Sequence, residues 1–170
     1  MSLPRQPITV AVTDVDRDRR QEFERLLKDD GSIALLANGT SRNQAGDSPA
    51  FVNRRLKSRA DITELQNEVA RIRRLKPLVL LINLDQCTDE DYALLLSMRR
   101  ESPEAHMVLL TDDSINESQL LRAMEIGARG YLKYKYVQSY LSKAIQVVAR
   151  GGIWASRKMM GNVIDYVLNY

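Results

Sequence analysis

Three polar side chains stand at the ends of apolar runs, where a buried parallel strand would deliver them to the rim of a sheet. In "KPLVLLINL" five apolar residues, Leu78 to Ile82, come behind a proline and give way to Asn83. The run in "PITVAVTDVD" ends near Asp14, and the run in "HMVLLTDD" ends at Thr111. α/β proteins place their chemistry at that rim. A carboxylate at the position of Asn83 could be phosphorylated or could hold a hard cation through oxygen. An amide there lacks the nucleophilic carboxylate and exchanges hydrogen bonds instead. Asp14, Asp16 and Asp85 have the residue types for a weak residual metal site. With one histidine, His106, and one cysteine, Cys87, the chain has almost nothing from which to build a Cys/His pair or a zinc cluster. There is no glycine-rich phosphate loop and no G-x-S-x-G elbow, so an enzyme is the function class with least behind it.

The elements that must position these residues can be read from periodicity. "PITVAVTDVD" reads as a first strand, and Asp16 as the cap of a helix whose inward positions are Phe23, Leu26 and Leu27. "GSIALLANG" reads as a short second strand between glycines. Residues 39–58 lose the pattern and read as a long surface insertion. The helical beat returns with Ile62, Leu65, Val69 and Ile72, spaced by three and four. "KPLVLLINL" is the third strand. Tyr92, Leu95 and Leu96 mark a helix ended by Ser102-Pro103, and "HMVLLTDD" is the fourth strand. Leu120, Leu121 and Met124 mark a helix closed by Gly127. "GYLKY" is a fifth strand, backed by a helix with Val137, Leu141, Ala144, Ile145 and Val148 that stops at Gly151-Gly152. A last helix over roughly 156–169 shows Met160, Val163, Ile164 and Val167 on one face. Strands alternating with helices require right-handed crossovers, hence a parallel sheet covered on both faces. The expected architecture is α/β, a flavodoxin-like doubly wound sheet of five strands in the order 2-1-3-4-5 with an extra C-terminal helix. Asp14 and Asn83 then meet in its crevice.

Composition agrees with one soluble globular domain. The chain has 170 residues, of which 44% are hydrophobic and 28% charged. No apolar run approaches the roughly 18 residues needed to span a bilayer, and no signal-peptide core is visible. The single cysteine fits a reducing cytoplasm, the expected location. The net charge is +3. Between Phe51 and Lys76 eight basic residues face three acids, a local +5 that leaves −2 elsewhere. A solvated helix face with a basic loop accounts for it, and a phosphate-binding patch is the sharper reading.

"AMEIGARGYLKY" followed by "AIQVVARGGIWAS", together with "KPLVLLINL" and "SPEAHMVLLTDD", resembles the receiver domains of NarL/LuxR-type response regulators over residues 8–158. The resemblance implies the CheY-like form of the fold, a phosphorylation switch driven by a histidine kinase, and a helix-turn-helix output domain. On its pattern the first metal-binding acid is Asp14, and the second falls on Val15, which cannot ligate a hard cation. The acceptor falls on Asn83. The hydroxyl is kept as Thr111, the aromatic switch position as Tyr131, and the lysine position falls on Tyr134 between Lys133 and Lys135. These losses imply a degenerate receiver: non-enzymatic, independent of phosphorylation, with no cofactor.

The resemblance divides the chain into a receiver-like unit over 7–153 and a helix, linker or dimerisation element over 154–170. It implies contacts with other signalling proteins, and DNA contact only through an output domain outside this chain. The apolar stripe of the last helix needs a partner or a fold-back, and with two-fold dimers the commonest assembly a homodimer is expected through that helix or through the fourth-helix and fifth-strand face. A second reading rests on "IWASRKMM". Trp154 offers a stacking face and Arg157 a bidentate fork for guanine or phosphate. The stretch resembles the cyclic di-GMP-binding motif of some LuxR-type regulators, Trp, a large apolar residue, Thr or Ser, then Arg. Ala155 departs from it.

Overall fold

The computed structural model describes residues 5–13, 17–36, 59–84 and 89–169. Five strands, β1 (Ile8–Val12), β2 (Ile33–Leu35), β3 (Val79–Leu84), β4 (His106–Thr111) and β5 (Gly130–Lys133), form one parallel sheet in the order β2-β1-β3-β4-β5. The helices are α1 (Arg17–Lys28), α2 (Arg59–Leu75), α3 (Asp89–Glu101), α4 (Glu117–Ile126), α5 (Val137–Ala149) and α6 (Arg157–Asn169). A single 3-10 turn, Tyr134–Tyr136, joins β5 to α5. The expected 2-1-3-4-5 sheet with an extra C-terminal helix is the one found. The insertion at 39–58 lies outside the described residues.

Strand β3 shows why the sequence folds this way. Its residues alternate between two cores, Val79 and Leu81 on the α1–α5 side, Leu80, Ile82 and Leu84 on the side of α2, α3 and α4. With helices on both faces, every position short of the rim must be apolar, so the strand reads as a hydrophobic run from Val79 to Ile82 before Asn83. All five of these residues are completely buried. Each contributes about 1.5–3 kcal/mol of burial energy. Phe23 and Leu27 of α1, and Val137, Leu141, Ile145 and Val148 of α5, close one face, while Val69, Ile72, Leu95 and Met98 help close the other.

Two apolar assignments change. Leu96 is 55% exposed, and the inward position after Leu95 belongs to Met98, which keeps the three-residue helical spacing. In α6 the residue driven into the core is Met159 rather than Met160, with Val163 packed beside it. Ile164 and Val167, grouped with Val163 by spacing, face away and are 53% and 67% exposed. The phase of a short helix is set by the neighbour it lands on, here α4, and two adjacent methionines offer two phases about 100° apart.

The outer edge of β5 is covered by one residue. Trp154 donates its backbone N–H to the Arg129 carbonyl at 3.0 Å and accepts from the Tyr131 N–H at 3.1 Å, bridging Gly130 in parallel. An edge strand's unpaired N–H and C=O groups are thereby partly satisfied. The approach is so close that a Cβ on Gly130 would lie 2.7 Å from the Trp154 carbonyl oxygen.

Gly130→Ala should therefore cost about 1–3 kcal/mol by overpacking against backbone. Gly31→Ala, which meets nothing within 4 Å, should be close to neutral. Urea unfolding of the pair measures this, and equal midpoints for the two variants would contradict it.

A second prediction concerns Asp30, which ties the start of β2 to α5. Its carboxylate accepts from the hydroxyls of Ser142 and Ser32, from the Ser32 N–H at 2.9 Å and from Gln146 at 3.1 Å. The Ser142 bond foremost, then those from Ser32, lower its pKa from 3.8 to about 2. A depressed carboxylate stabilises the fold above its unfolded pKa, and that stability is lost as pH falls from about 4 to 2. Asp30→Asn should be less stable than the parent at neutral pH, with the gap closing across that acid window. A constant gap in urea titrations from pH 7 to pH 2 would contradict it.

Candidate functional site

Parallel strands end on one rim, so β1, β3, β4 and β5 bring their carboxyl ends together at the point where strand order reverses beside β1. Thr13, just past β1, fastens the first two. Its N–H donates to the Leu81 carbonyl at 2.9 Å, and its hydroxyl oxygen accepts from the Asn83 N–H at 3.1 Å. Asn83 lies on the α1–α5 side of β3, in step with Val79 and Leu81, and is half-buried.

The Asn83 side chain has a partner 51 residues away. The Tyr134 hydroxyl, carried by the first residue of the 3-10 turn, donates to Asn83 Oδ1. The Arg19 guanidinium, from the first turns of α1, sits 3.9 Å from the centre of the Tyr134 ring. A cation over an aromatic face is worth about 0.5–1 kcal/mol at an exposed site. The three side chains, Arg19 over Tyr134 bonded to Asn83, close the α1 side of the rim.

Thr111 is completely buried at the end of β4, on the opposite side of the sheet from Asn83, and its hydroxyl has no hydrogen-bond partner among the described residues. Lys133 and Lys135 flank Tyr134 but point elsewhere. Both ammonium groups reach Asp113, at 3.3 and 3.0 Å. The hydrogen bonds from Lys135 and then Lys133 hold the Asp113 carboxyl below its usual range, and Asp113 raises Lys135 in turn. Asp112 makes an Asx turn, accepting from the Ser114 N–H at 2.8 Å and from its hydroxyl, which lowers its pKa. The β4–α4 loop is thus held by two ionic contacts and a turn, and α4 starts with a capping box between Asn116 and Gln119.

Asp14, Val15, Asp16, Asp85 and Cys87 lie outside the described residues. Among the described residues no cluster of three or more His, Cys, Asp or Glu could hold a metal ion.

No family model matches the chain, and no curated protein does. Solved structures do. The isolated receiver domain of RcsB from Salmonella enterica serovar Typhimurium, in the apo form, aligns with a TM-score of 0.65 at 12% identity, over 93% of this chain and 98% of that one. A LuxR-family two-component response regulator from Aurantimonas sp. aligns at 0.65 and 14% identity, over 96% and 99%. A LuxR-family DNA-binding response regulator from Silicibacter pomeroyi aligns at 0.59 and 15%, over 89% and 98%.

The chain has the receiver fold.

Within that receiver fold, Tyr131 of β5 and Trp154 beside it pack on opposite sides of the sheet. Tyr131 packs towards α4 and α6, and its hydroxyl lies 3.3 Å from Ser156 Oγ. Ser156 caps α6, its Oγ accepting from the Met159 N–H at 3.1 Å. Trp154 packs against the α1–α5 core, its ring tilted over Tyr140 with centroids 6.0 Å apart. Arg157 is exposed in the first turn of α6. The structure brings Asn83 and Tyr134 together; Tyr131, Trp154 and Arg157 form a separate region around the start of α6. Arg19, Thr13 and Asp113 are the residues sequence reasoning did not single out. Asp113 could have been flagged as an acid beside a strand end facing two lysines. Nothing local marks Arg19 or Thr13.

Tyr134→Phe removes one hydroxyl and leaves Asn83 Oδ1 without its donor. The expected cost is about 0.5–1.5 kcal/mol. In a double-mutant cycle with Asn83→Ala, measured by denaturant unfolding, the two effects should be non-additive. Additive losses would show that the pair contributes nothing together.

Proposed function

We propose that the chain is a non-enzymatic regulatory receiver of a LuxR-type response regulator, cytoplasmic, that works without accepting a phosphoryl group. The observation that carries this reading is the Asn83–Tyr134 hydrogen bond at the rim of β3. Phosphoryl transfer to a receiver needs a carboxylate oxygen that attacks phosphorus, a divalent cation held by acids, and a lysine on the phosphoryl oxygens. Asn83 supplies a neutral amide, whose oxygen is a far weaker nucleophile than a carboxylate and already accepts from the Tyr134 hydroxyl. Tyr134 stands where the resemblance expects the lysine, and its uncharged hydroxyl bonds to Asn83 on β3. Val15 cannot replace an acid on a hard cation.

Such a module acts through protein contacts. RcsB has been described as dimers bound to DNA and in a DNA complex. For this chain we propose self-association and contact with other signalling proteins, with DNA reached through an output domain outside it. The alternative, cyclic di-GMP sensing by Trp154 and Arg157, has less support. The Trp154 ring is packed on Tyr140, and its backbone closes the β5 edge.

Incubation with a small-molecule phosphodonor and Mg²⁺ should leave the intact mass unchanged. An acid-labile stoichiometric adduct would refute the reading. Asn83→Asp alone should not restore transfer, because Val15 still leaves the cation short of an acid and Tyr134 leaves the phosphate short of a positive charge.

A further inference from the structure

Helix α6 has two apolar faces, and only one is used by its own domain. Met159 is 1% exposed against the core, Val163 packs beside it, and Lys158 and Asn162 both reach Glu117 of α4, at 3.1 and 3.2 Å. The opposite face carries Met160, Gly161, Ile164, Val167 and Leu168, which the 100° helical step places in one stripe. Ile164, Val167 and Leu168 are 53%, 67% and 76% exposed, and the stripe holds no charged residue between its ends.

The charge at the amino end of α6 opposes its dipole, and the carboxyl end carries none to match it. Its first turn holds Arg157 and Lys158 and no acid, at the end that carries partial positive charge, and its last turn holds no basic residue at the negative end. Lys158 is answered by Glu117, whereas Arg157 makes no ion pair among the described residues. An antiparallel copy of the same helix would set each Arg157 beside the other helix's carboxyl end, whose last turn holds no basic residue.

We infer that the exposed stripe of α6 is a homotypic interface, occupied by α6 of a second copy of this chain, antiparallel about a two-fold axis at Ile164. This rests on the receiver reading only in naming the surface through which such a module would self-associate. The axis at Ile164 sets Met160 against Leu168 and Gly161 against Val167. Gly161, with nothing within 4 Å of a built Cβ, gives the space that Val167 fills. The two-fold makes each contact occur twice, as a self-complementary patch requires. A single helix pair is small beside a standard interface, so the dimer should be weak and should depend on concentration.

Sedimentation equilibrium across a concentration series should show a reversible monomer–dimer system. Ile164→Asp, an exposed substitution that should leave circular dichroism unchanged, should weaken the dimer by about a hundredfold. In a Cys87→Ser background, Ile164→Cys should oxidise to a covalent dimer, because the axis brings the residue against itself. Asn162→Cys, on the inner face, should not. A parent chain that stays monomeric at high concentration would overturn the inference. So would a dimer indifferent to Ile164→Asp, which would place self-association on another face and leave the regulatory reading standing.

Discussion

Burial of a parallel strand on both sides is the constraint from which the rest of this structure follows. Val79 to Ile82 and Leu84 have no access to solvent, because α1 and α5 cover one face of the sheet and α2, α3 and α4 the other. A polar side chain has no place along such a strand until it reaches the rim. Asn83 is the first residue that meets this condition, and the same geometry brings Thr13, Thr111 and Tyr134 to that rim from sequence positions far apart.

At that rim the choice between a charged and a neutral pair decides how the site behaves. A carboxylate facing an ammonium would respond to pH, cations and phosphate, and both charges would have to be desolvated. The amide–phenol pair found here carries no net charge. The charged groups around it are engaged in other ways: Lys133 and Lys135 with Asp113, and the Arg19 guanidinium over the Tyr134 ring. On the proposed reading this arrangement keeps the rim in one state, and regulation passes to surfaces.

The far side of β5 shows how such surfaces are organised. Trp154 closes the edge strand, Ser156 starts α6 while touching Tyr131, and Met159 seats the helix on the core. The seating of α6 on α4 fixes where the outer stripe of that helix points. Position and exposure of the stripe thus come from contacts made by the opposite face.

By itself the sequence determined the five strands, their alternation with helices and hence the sheet order, because burial on two faces writes an apolar run and crossovers write helical spacing. It also determined that Asn83, Thr111 and Tyr134 stand at strand ends. Its local patterns could not show that the Tyr134 hydroxyl reaches Asn83, that Arg19 covers the ring, or that Asp113 holds both lysines, since each contact joins separate elements. Nor could spacing choose between Met159 and Met160, or recognise Leu96 as exposed. Periodicity records how residues are spaced along one element, whereas the face that ends up buried depends on the direction from which a neighbouring element arrives, and only the tertiary structure decides that.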